Sequence, residues 1–76
     1  MVHIEKKKCL IDFGEFIKAG RLRRDLSQTE VAEQLGITQS HYSYLEAGKR
    51  ETDLVMMMRI CDIVGVDLRD FIERYM

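Results

Sequence analysis

Few side chains in this sequence have the types or spacing that a reactive centre needs. His3 and His41 are the only histidines, and neither belongs to a metal-binding or triad-like grouping. Cys9 and Cys61 lie far apart, with neither metal-ligand nor CxxC spacing, so two reduced thiols are the simpler reading. No glycine-rich phosphate loop is present. No enzyme, metal or cofactor is expected. What stands out is a set made for hydrogen bonding: Gln39, Ser40, Ser43 and Tyr44 in one short segment, followed by the cations Lys49 and Arg50. A glutamine amide donates and accepts side by side, serine hydroxyls are short and adaptable, and paired cations grip anions. Such a set recognises a polar surface.

The elements that must position these groups lie between Leu26 and Arg50, LSQTEVAEQLGITQSHYSYLEAGKR. Ser27 and Glu30 have capping-box spacing, and Leu26 and Val31 sit where a hydrophobic staple clamps a helix entry. A helix is therefore expected from Gln28, with Val31, Ala32 and Leu35 as its apolar face and Gly36 as its left-handed stop. Thr38 is the next N-cap, with Ile37 and Tyr42 at staple spacing, and Gly48 closes the second helix. Two helices joined by a short glycine-containing turn fit helix-turn-helix geometry, and the small Ala32 lets the second approach the first. At about 100° per residue, Tyr42 and Leu45 point towards a core. Ser40, Ser43, Tyr44 and Ala47 then point outward, with Gln39 at the leading tip. That outer face carries no acid.

These residues resemble the Cro/repressor-type (XRE-like) helix-turn-helix DNA-binding domains. The matching positions are Leu26-Ser27-Gln28, Val31-Ala32, Leu35-Gly36, Thr38-Gln39-Ser40, Leu45-Glu46 and Gly48-Lys49-Arg50, within a likeness extending from about Phe13 to Phe71. The resemblance implies an all-α, five-helix lambda-repressor-like bundle, with the helix-turn-helix as its second and third helices. It also implies a second motif helix lying in the major groove of double-stranded DNA, its N-terminal residues facing base edges. Gln39 is then the first candidate for base reading, because its amide matches an adenine edge; Ser40, Ser43 and Tyr44 accompany it. Ser27, Gln28 and Thr38, at helix N-termini, and Lys49 and Arg50, after the second helix, are the candidates for phosphate. The resemblance further pairs Arg21 with Glu46. Glu46 lies near the C-terminal end of its helix, where an acid opposes the helix dipole, so a cation from another helix would explain it. On local sequence alone, an exposed, unpaired Glu46 is an equal alternative.

The remaining chain frames that motif. Met1–Leu10, with Lys6-Lys7-Lys8, is expected as a basic arm, either solvated or laid along the DNA backbone. Residues 11–76 form the domain. A first helix is expected from about Ile11 to Arg24, with Phe13, Ile17, Gly20, Arg21 and Arg24 on one stripe. Gly20 costs about 1 kcal/mol of helix propensity relative to alanine, so a close helix approach is expected there. Phe16 and Leu22 could extend the core or form a contact surface. Asp53 or Thr52 should cap a fourth helix ending at Gly65, with Leu54, Met57, Met58, Cys61 and Val64 as core. A fifth helix, capped by Asp67, should turn Leu68, Phe71, Ile72 and Tyr75 inward. Apolar positions left over for a homodimer interface in the C-terminal half are Met56, Ile60, Ile63, Ile72, Tyr75 and Met76.

Charge is unevenly spread. The net charge is −1, which by itself disfavours nucleic acid. Residues 1–24, however, hold seven Lys/Arg against three acids, and residues 51–76 hold three against six. One pole is basic and the other acidic. No run approaches the length of a membrane span, and no signal peptide opens the sequence. The expectation is a cytoplasmic transcriptional regulator binding an inverted-repeat operator as a homodimer, by occupying the site or by touching RNA polymerase beside it. Its size resembles phage or mobile-element repressors and restriction–modification controllers. A protein-interaction module that keeps the fold without binding DNA is the alternative.

Overall fold

Each helix begins where a side chain can satisfy its first free backbone amides. Glu5 accepts from the amides of Lys7 and Lys8 and starts α1, Lys6–Arg23. The Ser27–Glu30 capping box starts α2, Gln28–Leu35. Thr38 accepts from the His41 amide ahead of α3, Gln39–Glu46. Asp53 caps α4, Leu54–Val64, and Asp67 caps α5, Leu68–Ile72, which runs into a 3-10 turn at Glu73–Tyr75. The computed structural model describes residues 3–76, and these five helices are its regular elements, with no strand among the described residues. Among the described residues, no helix is long and apolar enough to cross a membrane.

The early start of α1 corrects the expected boundary at Ile11. Lys6–Leu10 is helix, not an arm; Met1 and Val2, also assigned to the arm, lie outside the described residues. The physical reason is Glu5. Its carboxylate satisfies two free amides and sits at the positive end of the helix dipole, offsetting the lysines of the first turn.

α1 packs against α3 and α4, and α2 packs against α3 and α4, so the motif is held in the angle of the other two helices. Phe13, Phe16 and Ile17 of α1 meet Val31, Ala32 and Leu35 of α2, Tyr42 and Leu45 of α3, and Ile60, Cys61 and Val64 of α4. Gly20 is a close approach: a Cβ there would meet Val66 Cγ1 at 2.6 Å. Asp25 takes the left-handed conformation at φ 56°. The short α5 is fastened by aromatic packing, with Phe71 5.3 Å from Phe13 and 5.5 Å from Phe16 between ring centroids. Tyr75 adds a 2.5 Å hydrogen bond to Asp12 of α1.

Several expected faces differ. Ile60, assigned to a dimer interface, is fully buried in the core, while Leu54 and Met58, assigned to the core, are exposed. A helical period fixes which residues share a stripe, but not where along its length the helix leaves the core. Cys61 and Leu54 share a face of α4, yet Leu54 lies at its first turn, beyond the packing. Leu54, Val55 and Met58 therefore form an exposed apolar strip. Met56, Ile63 and Tyr75 are half-buried against the core, and Ile72 and Met76 are exposed. Phe16 joins the core; Leu22 does not.

Candidate nucleic-acid interface

The turn between α2 and α3 follows from three residues. Gly36 adopts φ 74°, where a side chain would be strained, and frees the chain to reverse. Ile37 returns its amide to the Ala32 carbonyl, closing the end of α2. Ala32 is small and buried, so α3 can lie close across α2. α3 then buries Tyr42 and Leu45 and presents Gln39, Ser40, Tyr44 and Ala47 to solvent, with Ser43 half-buried beside them. Ser27 and Thr38 accept cap bonds through their side-chain oxygens, which leaves each hydroxyl proton free to donate outward.

The charge around this face is arranged by pairing. Glu46, the one acid of α3, is buried against Arg21 of α1: Arg21 Nε donates to Glu46 Oε2 at 2.6 Å and Arg21 Nη2 to Oε1 at 3.1 Å. The remaining Arg21 donor, Nη1, reaches the Leu26 carbonyl at 2.8 Å. Side-chain exposure is 9% for Arg21 and 4% for Glu46, so this is a buried bidentate pair. Burial acts to raise the Glu46 pKa, but hydrogen bonds from Arg21 and Gln28, with the Tyr42 hydroxyl close by, outweigh it and hold the carboxyl below its ordinary range. The Tyr42 hydroxyl, buried beside the pair, has no partner of regular hydrogen-bond geometry. Glu51 pairs with Lys6 at 2.9 Å. Lys49 and Arg50 are exposed and take part in no ion pair among the described residues. The net result is a polar face flanked by free cations.

Two features escaped the sequence reading. The first is Gly14: a Cβ there would overlap the Glu46 carbonyl oxygen and lie 2.9 Å from the Leu45 carbonyl oxygen. α1 and the end of α3 thus meet backbone to backbone. A glycine inside a helical pattern is the available signal, at Gly14 as at Gly20. The second is the placement of Gln28. Its Nε2 donates to Glu46 Oε1 at 3.0 Å, and its Oε1 accepts from Gln39 Nε2 at 2.7 Å. Arg21, Glu46, Gln28 and Gln39 therefore form one continuous chain of hydrogen bonds from the core to the tip of α3. No cluster of His, Cys, Asp or Glu able to hold a metal occurs among the described residues. Burial, with Asp67 nearby, pushes the Cys61 thiol up to about 11.

Comparison with known proteins agrees with this geometry. A Helix-turn-helix family model matches residues 17–71. The chain is 41% identical over 54 residues to the SPbeta prophage-derived HTH-type transcriptional regulator YonR of Bacillus subtilis (strain 168), covering 71% of this chain and 50% of that one. It spans about half the length of the two Bacillus relatives it matches. With control protein C.MunI of Mycoplasma sp it shares 36% identity over 61 residues, 79% of this chain and 82% of that one. The restriction-modification controller protein C.AhdI of Aeromonas hydrophila superposes with a TM-score of 0.73 at 26% identity, over 82% of this chain and 94% of that one. The clp gene regulator ClgR of Corynebacterium glutamicum, at 20% identity and a TM-score of 0.78, shares the fold over 84% of this chain and 68% of that one. The chain belongs to the XRE-type helix-turn-helix family of DNA-binding transcriptional regulators.

Proposed function

We propose that this chain binds an inverted-repeat operator as a homodimer, in the manner of a phage or mobile-element repressor or a restriction–modification controller. The observation that carries the reading is the outer face of α3. It offers Gln39, Ser40, Ser43 and Tyr44 beside the unpaired Lys49 and Arg50, while its single acid is buried against Arg21. Gln39, at the first turn of α3, reads a base edge in the major groove, with Ser40, Ser43 and Tyr44 making shorter-range contacts. Lys49 and Arg50 take flanking phosphates, as do the hydroxyl protons of Ser27 and Thr38 and the second amide proton of Gln28. Those contacts set register and affinity, not sequence. The second copy docks on the exposed apolar side chains of α4 and the C-terminus, Leu54, Val55, Met58, Ile72 and Met76. The protein works in the cytoplasm, occluding a promoter or touching RNA polymerase beside it.

Selection of bound sequences from a random duplex pool tests this. Enrichment of an inverted repeat is the expected outcome. A protein-interaction module that kept the fold without reading DNA would enrich no sequence.

A further inference from the structure

We propose that Glu46 is a positioning residue for base preference: through Gln28, it decides which way round the Gln39 amide faces the DNA. The inference rests on the reading of α3 as the base-reading helix. An amide chain has a direction only if something at one end imposes it. Here that is the carboxylate of Glu46, which can only accept hydrogen bonds while Arg21 holds it ionised. Gln28 must therefore turn its NH2 towards Glu46, 3.0 Å away, and its carbonyl oxygen towards Gln39. Gln39 must in turn present its NH2 to Gln28, 2.7 Å away. The orientations follow from the acceptor-only end of the chain.

The consequence lies at the exposed end. With one N–H of Gln39 held by Gln28, the amide has its second N–H and its carbonyl oxygen left for DNA. One donor beside one acceptor fits adenine, which offers N7 as acceptor and N6–H2 as donor. Reverse the chain and Gln39 would turn its oxygen towards Gln28 and offer two N–H groups outward. Two donors fit guanine, whose N7 and O6 both accept. Glu46 lies at the far end of α3 from Gln39 and is buried, so it influences the base without reaching it.

The substitution E46Q tests this, because an amide at that position keeps the shape and can donate to Gln28. The expected result is a fall of roughly tenfold in preference for adenine over guanine at the base pair read by Gln39. Preference elsewhere in the site, and the salt dependence of binding, should stay as they were. Because E46Q also weakens the buried ion pair, Gln28→Met serves as a second variant. It leaves Arg21 and Glu46 paired and removes the link. The phosphate contact of Gln28 goes with it and lowers affinity for all sequences alike, whereas loss of the link should relax the same base pair. In the free proteins, the side-chain amide NMR resonances of Gln39 should shift in both variants. If wild type selects a site and Q39A relaxes one position, but folded Q28M keeps the adenine preference there and leaves the Gln39 amide unmoved, the inference is overturned and the base-reading assignment stands. If Q39A relaxes no position, the base-reading assignment itself fails.

Discussion

Gln39 and Lys49 are both exposed and should fail in different ways when removed. Gln39→Ala should cost roughly 1–3 kcal/mol against the selected operator and leave non-specific binding nearly intact. Lys49→Ala should weaken all sequences alike and make the salt slope shallower by about one unit. Titrations at several salt concentrations separate the two, and uniform losses in both variants would mean that α3 reads with another face. The Arg21–Glu46 pair belongs to stability. With both side chains buried, removing either strands a charge, at a cost of about 3–5 kcal/mol. That is a large share of what a small domain has. Arg21→Ala and Glu46→Ala should each destabilise clearly, and the double variant should cost less than their sum in denaturant unfolding. The pH dependence has a definite sign. Glu46 is held below its ordinary 4.5 in the folded state, so its contribution is complete above that value and disappears as pH falls through the folded value. Unfolding midpoints should hold steady down to that region and then drop. E46Q should remove part of the drop; Asp12, Glu30 and Asp67, also held low by their hydrogen bonds, account for the remainder.

At the level of helices, the sharpest constraint is Gly14, because α1 can touch the end of α3 only where no Cβ intervenes. Gly14→Ala would gain about 1 kcal/mol of helix propensity if nothing else changed. The atoms in the way are backbone carbonyls, which cannot swing aside like a side chain. Separating the helices should outweigh the gain, with overpacking costs of about 1–3 kcal/mol and a lower melting temperature. Operator affinity should fall with it, since the displaced helix is the one proposed to read bases. An alanine variant at least as stable as wild type would show that the approach is looser than described. The contrast with the caps shows what the sequence can and cannot reveal. Ser27, Thr38, Asp53 and Asp67 announce their helices through local chemistry, so the five-helix plan was legible before the structure. Glu5 was equally local, but the lysine run beside it looked like a solvated tail. Gly14, Ile60 and the Leu54–Val55–Met58 strip depend on where separate helices meet along their lengths, which periodicity does not encode. Within the candidate site, the spacing of Gln39 and Lys49 could be read directly. The link through Gln28 could not, because it joins three elements through side-chain geometry.

Charge is uneven along the chain, and apolar surface is uneven on the molecule. Acids dominate after Arg50, six against three Lys/Arg, while residues 1–24 carry the excess of cations. The net charge of −1 thus conceals a division compatible with a DNA-facing pole. The apolar surface is divided too. Val55 is 66% exposed, Leu54 61% and Met58 57% at the start of α4, and Met76 is 83% exposed at the C-terminal end. Grouped exposed apolar side chains on a small domain mark a contact site. A single reading helix also touches too few bases for high specificity, whereas two held 34–36 Å apart read successive turns of one groove. Val55→Asp separates folding from assembly, because an exposed side chain can take a charge without disturbing the core. The variant should melt near wild type and sediment as a monomer where wild type sediments as a dimer. Losing the second half-site contact should weaken operator binding by about 10²–10⁴-fold while leaving the half-site preference unchanged. Ultracentrifugation at micromolar concentration, paired with titration of whole and half operators, makes the comparison. A wild-type protein that remains monomeric and binds its site as one copy would sink the dimer. A Val55→Asp protein that still dimerises would instead move the interface away from the start of α4.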